Sequence, residues 1–146
     1  MKRISLVTFA MTLLSIAAFG QKKTEFRATL EKHLNAVAAK NINDIKATVA
    51  DSVTLIFPDG DVLKSKQKFV DFHKDWFKDS TWKMTTEILK TTESNTLSYG
   101  LVKYQLSRFN ADGSVKSQSN TYLLLIFEKQ KTGWKLLHDQ NTKITL

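Results

Sequence analysis

Phe69-Val70-Asp71-Phe72-His73-Lys74-Asp75-Trp76-Phe77, then Lys78-Asp79-Ser80-Thr81, then Trp82-Lys83-Met84-Thr85-Thr86-Glu87-Ile88: across this stretch the apolar repeat changes from the helical to the strand period. Phe69, Val70, Phe72, His73, Trp76 and Phe77 recur at the spacing of one helix face, with Ser65 as a candidate N-cap and Asp79-Ser80 as a stop. Beyond it Trp82, Met84, Thr86 and Ile88 alternate with Lys83, Thr85 and Glu87, and the two-residue period then persists to the end. Turns near Glu93-Ser94-Asn95, at Asn110-Ala111-Asp112-Gly113 and at Lys131-Thr132-Gly133 divide it into four antiparallel strands, the later three spanning 96–109, 114–129 and 134–144.

Working back toward the N-terminus, Phe26, Leu30, Leu34, Val37 and Ala38 predict an amphipathic helix over 24–40 capped by Thr24, and Ile42 to Val49 predicts a shorter one. Ser52 to Phe57 reads as a strand, Pro58-Asp59-Gly60-Asp61 as a tight turn, and Val62-Leu63 as its short return. Helices segregated from strands predict an α+β fold. Strands of about a dozen residues exceed the usual five or six, so the predicted sheet is strongly curved and wraps the helices as a cone or half-barrel.

The chain has 146 residues, 42% hydrophobic and 25% charged, which suits one globular domain with a single core. Having no cysteine, it has no disulfide framework, thiolate metal site or thiol nucleophile. Met1-Lys2-Arg3, the almost uncharged run from Ile4 to Phe19 and the small residues of Ala18-Phe19-Gly20 predict a signal peptide over 1–20 and a domain over 21–146. That run, roughly 16 residues, falls short of the roughly 20 that span a bilayer, so no stable membrane anchor is expected after cleavage. A secreted or periplasmic location follows as an expectation. Cleavage would lower the formal charge of +8 by two. The mature chain keeps only Arg27 and Arg108, its lysines are scattered, and no nucleic-acid partner is expected.

The element order, the Phe57-Pro58-Asp59-Gly60-Asp61 turn leading into the third helix, and the Gly133-Trp134-Lys135-Leu136-Leu137-His138 opening of the last strand resemble the nuclear transport factor 2-like superfamily, in its SnoaL-like branch. The resemblance covers about Thr24 to Ile144. It implies three N-terminal helices against a curved antiparallel sheet, a conical pocket between them, and frequent homodimers through the outer face of the sheet. It implies no particular activity.

Strict alternation along the last strand puts Trp134, Leu136, His138 and Gln140 on one face, taken as the pocket face, and Lys135, Leu137 and Asp139 on the other, taken as solvent-facing. His138 has two readings: a ligand contact, or a core-edge ring satisfied by a carbonyl or a tyrosine. Tyr104 and Arg108 share one parity and Asn120 and Tyr122 another, so either pair can orient a carbonyl or anionic ligand if it faces inward. His73 and Trp76 on the third helix are core or cavity lining. His33, between Lys32 and Leu34 and close to Glu31, reads as exposed. The histidines are far apart and lack a carboxylate cluster, so neither a metal site nor a cofactor is expected. The sequence therefore predicts an exported, noncatalytic or at most cryptically catalytic domain that binds a small, partly apolar ligand as a homodimer. Its alternatives are an isomerase or lyase on a hydrophobic carbonyl compound, with His138 as base and a tyrosine as proton donor, and a dimerisation module.

Overall fold

A computed structural model describes residues 23–145; the predicted signal peptide lies outside them. Helix α1 (Glu25–Ala38) starts at Thr24, whose hydroxyl accepts from the Arg27 N–H at 3.1 Å. Helix α2 (Ile42–Thr48) starts at Asn41, whose side-chain oxygen accepts from the N–H groups of Asn43 and Asp44. Strands β1 (Val49–Ile56) and β2 (Val62–Lys64) form a hairpin, and α3 (Lys66–Trp76) follows. Ser65 precedes α3 but makes no capping bond with its side chain. Strands β3 (Trp82–Thr92), β4 (Leu97–Phe109), β5 (Val115–Gln130) and β6 (Gly133–Lys143) complete the chain.

All six strands belong to one sheet in the order β2-β1-β6-β5-β4-β3. The sheet is mixed, which corrects the all-antiparallel expectation: β1 runs parallel to β6, with Leu55 opposite Asp139, while the other neighbours are antiparallel. The early hairpin is thus the outer part of the same sheet. Its strands are far from β6 in sequence and reach it through side-by-side pairing that local periodicity does not encode. The long strands are bent at bulges, where an extra residue is left without a partner: Leu89 in β3, Lys116 in β5 and Leu137 in β6. The curved sheet closes over the apolar face of α1. Phe26 meets Phe127 and Trp134 edge-on, each at 5.6 Å between ring centres, and Leu30 sits fully buried against Gly100.

Candidate functional site

Between α1, α3 and the inner side of the sheet lies a cavity of about 130 Å³. Leu34 and Val37 of α1, Leu55 of β1, and Leu123 and Leu125 of β5 supply apolar wall. Phe57, Phe72 and Trp76 are partly exposed and form its rim with Pro58. The rim is braced from behind. Trp76 stacks on buried Trp82 at 4.3 Å, and the Lys40 ammonium lies over the Trp82 ring at 4.1 Å while donating to the Asp79 carbonyl at 2.6 Å.

Five polar side chains enter this apolar space: His33, His73, Tyr104, Asp139 and Asn141. Asp139 and Asn141 arrive there because of the bulge in β6. Ile126 pairs with His138 and Phe127 with Leu136, so Leu137 is the extra residue. One inserted position exchanges the two faces of the strand. Trp134 and Leu136 point inward before it, Asp139 and Asn141 after it. Asp139 is only 7% exposed, and burial pushes its carboxyl up to about 7 although the Asn141 amide opposes the rise. That amide donates to Oδ1 of Asp139 at 3.0 Å, the only polar contact of the carboxyl among the described residues. Tyr104, across the strand pair from Thr121, has its hydroxyl pushed up by burial; the Thr121 side chain opposes this and the Asp139 charge adds to it.

His33 and His73 enter the same cavity from the helices. The Nδ1 of His33 is 2.8 Å from the Thr48 hydroxyl, and burial, with a smaller contribution from His73, pushes the ring down to about 3. The Nδ1 of His73 donates to the Phe69 carbonyl at 2.8 Å, and burial pushes that ring down to about 4 against this bond. Both imidazoles are therefore neutral at neutral pH. An acid that changes charge near pH 7, a tyrosine hydroxyl and two neutral imidazoles share one small apolar cavity. Such a set can hold a polar group of an otherwise apolar molecule, and a carboxyl tuned this way can also exchange a proton with it.

Residues 26–141 match the sequence pattern of the SnoaL-like domain. The chain belongs to the SnoaL-like domain family. A search of curated protein sequences gives no match for this SnoaL-like domain. Among solved structures it is similar to a ketosteroid isomerase-like protein from Erwinia carotovora atroseptica, with 21% identity, 88% of this chain and 100% of that one covered, and a TM-score of 0.71. It is similar to a nuclear transport factor 2-like superfamily protein from Salmonella enterica (12% identity, 84% and 90% covered, TM-score 0.68). A third similar structure is the CaMKII hub of S. rosetta, with 19% identity, 82% and 95% covered, and a TM-score of 0.65. At these identities the likeness is one of fold.

Of the side chains singled out from sequence, Tyr104, His73 and Trp76 line the cavity of the SnoaL-like domain. The others lie elsewhere. Trp134 is buried in the core beside Phe26, with Lys129 over its ring. His138 and Gln140, past the bulge, fall on the face opposite Asp139, so the expected pocket face of the last strand holds only up to Leu136. Arg108 pairs with Asp79 at 2.9 Å, tying β4 to the segment after α3. Tyr122 is 40% exposed, opposite Lys103 and Thr142.

Sequence reasoning missed Asp139, Asn141 and His33. Unbroken alternation puts the acid on the solvent side, the bulge moves it inward, and no local residue pattern marks Leu137 as the insertion. His33 was legible: it sits three residues after Leu30 and four before Val37, on the apolar stripe of α1, and is 2% exposed. Its charged neighbours Glu31 and Lys32 belong to other faces of the helix. Among the described residues no three His, Cys, Asp or Glu side chains are grouped as a metal site would need.

Proposed function

We propose that this SnoaL-like domain binds a small, largely apolar molecule in the cavity and that Asp139 engages the molecule's polar group. The observation that carries the reading is Asp139 itself: a carboxyl buried against apolar wall, with one oxygen held by Asn141 and the other without a protein partner among the described residues. An acid with no such task would be cheaper as a leucine, because burying an unpaired polar group costs stability. The test is a thermal-shift screen against small monocyclic and carbonyl compounds, using wild type and a Val37→Phe variant that fills the cavity. A midpoint rise in wild type that the filled variant loses supports the reading, and a flat response across the panel removes it.

A second reading, proton transfer on a carbonyl compound, is favoured by the carboxyl of about 7 beside Tyr104. Asp139 would take a proton from the carbon next to the carbonyl and return it at another carbon, with the Tyr104 hydroxyl hydrogen-bonding the transient enolate oxygen. A similar fold carries a ketosteroid isomerase-like protein. Proton exchange of a bound ketone in deuterated buffer, followed by NMR and lost in Asp139→Asn, tests this step.

The proposal also includes export with cleavage after Gly20 and a homodimer through the outer sheet face. Half-buried Tyr99, Leu101, Leu124 and Ile126 on neighbouring strands of that face support the dimer. N-terminal sequencing of protein from the culture or periplasm and light scattering of the purified domain check the two points; an uncleaved N-terminus or a monomer mass removes each.

A further inference from the structure

The two histidines are not needed for Asp139 to act, and their hydrogen bonds fix which nitrogen faces the cavity. A carbonyl oxygen can only accept, so the Nδ1 of His73, 2.8 Å from the Phe69 carbonyl, carries the ring proton and Nε2 is a bare acceptor. For His33 the same follows from Thr48. Two backbone carbonyls, of Asp44 at 2.9 Å and Ile45 at 3.2 Å, compete for the single hydroxyl proton of Thr48, and with that proton on either of them Oγ1 accepts from Nδ1–H of His33, again leaving Nε2 bare.

Neither Nε2 has a hydrogen-bond partner among the described residues, yet no buried side-chain nitrogen or oxygen is orphaned. Both rings line the cavity, so both lone pairs open onto its space. Burial keeps the rings neutral at neutral pH. The two histidines thus add acceptors, and no donors, to the helix side of the cavity, whose one other polar side-chain group among the described residues is the Trp76 indole N–H at the rim. Size sets a second limit. A cavity of 150 Å³ accommodates about one benzene ring, and this one has about 130 Å³, bounded by the rings of Phe72, Trp76 and Tyr104. An anion would be repelled by the two lone pairs and the carboxyl here, whereas a neutral hydroxyl on a ring can donate its proton to a lone pair.

We infer that His73 and His33 form an acceptor subsite that selects a single-ring compound bearing a hydroxyl, of the phenol class, over rings of equal size without an O–H. The inference rests on the ligand-binding reading above and specifies what that site takes.

The experiment measures the affinities of phenol, anisole and toluene at pH 6 for wild type, His73→Asn, His33→Asn and the double variant. Asparagine keeps an N–H near the Nδ1 position, so the bonds to Phe69 and Thr48 are retained while Nε2 is deleted. Wild type is expected to prefer phenol over anisole and toluene by roughly three- to tenfold, the yield of one neutral hydrogen bond. The double variant is expected to bind all three alike, with toluene affinity unchanged. Equal affinities in wild type, or a phenol preference that survives in the double variant, overturn the inference while ligand binding stands. Failure of all three probes to bind overturns the cavity reading and this inference with it. Should the variants not fold, nitrogen-15 NMR of the wild-type histidines decides: a protonated Nε2 on both rings in the ligand-free protein overturns the acceptor subsite, and a bare Nε2 supports it.

Discussion

The Asn141 amide donates to Oδ1 of Asp139 at 3.0 Å and, with its other hydrogen, to the Ile56 carbonyl at 3.1 Å. The acid is thereby tied to the backbone of the neighbouring parallel strand. This bond favours the charged carboxylate, whereas burial favours the neutral acid, and burial wins. The carboxyl is consequently held in one orientation with its second oxygen available to the cavity.

Asp139→Asn is expected to stabilise the domain above pH 7. The folded-state value of about 7 exceeds the ordinary carboxyl value of 3.8, so the acid's stabilising share is complete below about pH 4 and is lost as pH rises to about 7. Asparagine has the same shape and no charge to bury. At pH 8 the variant should gain about 4 kcal/mol relative to its own difference from wild type at pH 4, about 1.4 kcal/mol for each of the roughly three pH units between 3.8 and about 7. Denaturant titrations at the two pH values check this; an unchanged difference would remove the buried ionisation from the account.

The histidines act with the opposite sign. Their folded values of about 3 and about 4 lie below the ordinary 6.5, so the stability they contribute is present above pH 6.5 and lost as pH falls toward those values. Between about pH 4 and 6.5, unfolding takes up two protons at the histidines and releases one at Asp139. Unfolding free energy should therefore fall by about 1.4 kcal/mol per pH unit on acidification, and about twice as steeply in Asp139→Asn. Half-buried carboxylates such as Glu31 and Asp79, held low by hydrogen bonds and cations, add their own losses further down. Equal slopes for the two proteins across that window would contradict the assignment.

Gly100→Ala is expected to destabilise by about 1–3 kcal/mol through overpacking. A methyl at Gly100 would stand 2.8 Å from Cδ2 of Leu30, which is fully buried and has nowhere to turn. Pairing it with Leu30→Val removes the clashing carbon, so the double variant should be more stable than the sum of the two single effects predicts, by about 1 kcal/mol. Additive effects in a double-mutant cycle would show that the clash is relieved in some other way.

Ser65→Gly is expected to stabilise by about 1 kcal/mol. Ser65 sits at φ 90°, ψ 146°, a backbone conformation that costs a non-glycine residue about 1–3 kcal/mol, and its side chain makes no cap bond that would be lost. Glycine's greater freedom in the unfolded chain returns part of the gain. Thermal and chemical denaturation of the variant measure the net effect; a loss of stability would mean that the hydroxyl has a partner worth more than the strain.

The element types and most of their limits were legible because each rests on local chemistry. The stripe from Phe26 to Val37, the turn at Pro58 to Asp61 and the Asp112-Gly113 hairpin each carry their own cause in neighbouring residues. What was not legible depends on pairing. The parallel contact of Leu55 with Asp139 joins segments far apart in the chain, and the insertion at Leu137 is defined only against β5. Leu136 and Asp139, three apart on one strand, both point toward the helices, which an unbroken period of two forbids. The site lies past this irregularity, so reading the fold well did not suffice for reading the site. Tyr104, His73 and Trp76, which line the cavity, lie where periodicity holds.

The placement of β6 between β1 and β5 has a consequence for how the molecule is made. The last of these six strands in chain order is an interior one, and until it docks, β1 and β5 each present a bare edge able to pair with another chain. Two of the five polar side chains of the cavity, Asp139 and Asn141, are contributed when β6 docks. Until β6 docks the cavity lacks these two side chains, so a ligand held through Asp139, as proposed above, could not help to close the unfinished sheet.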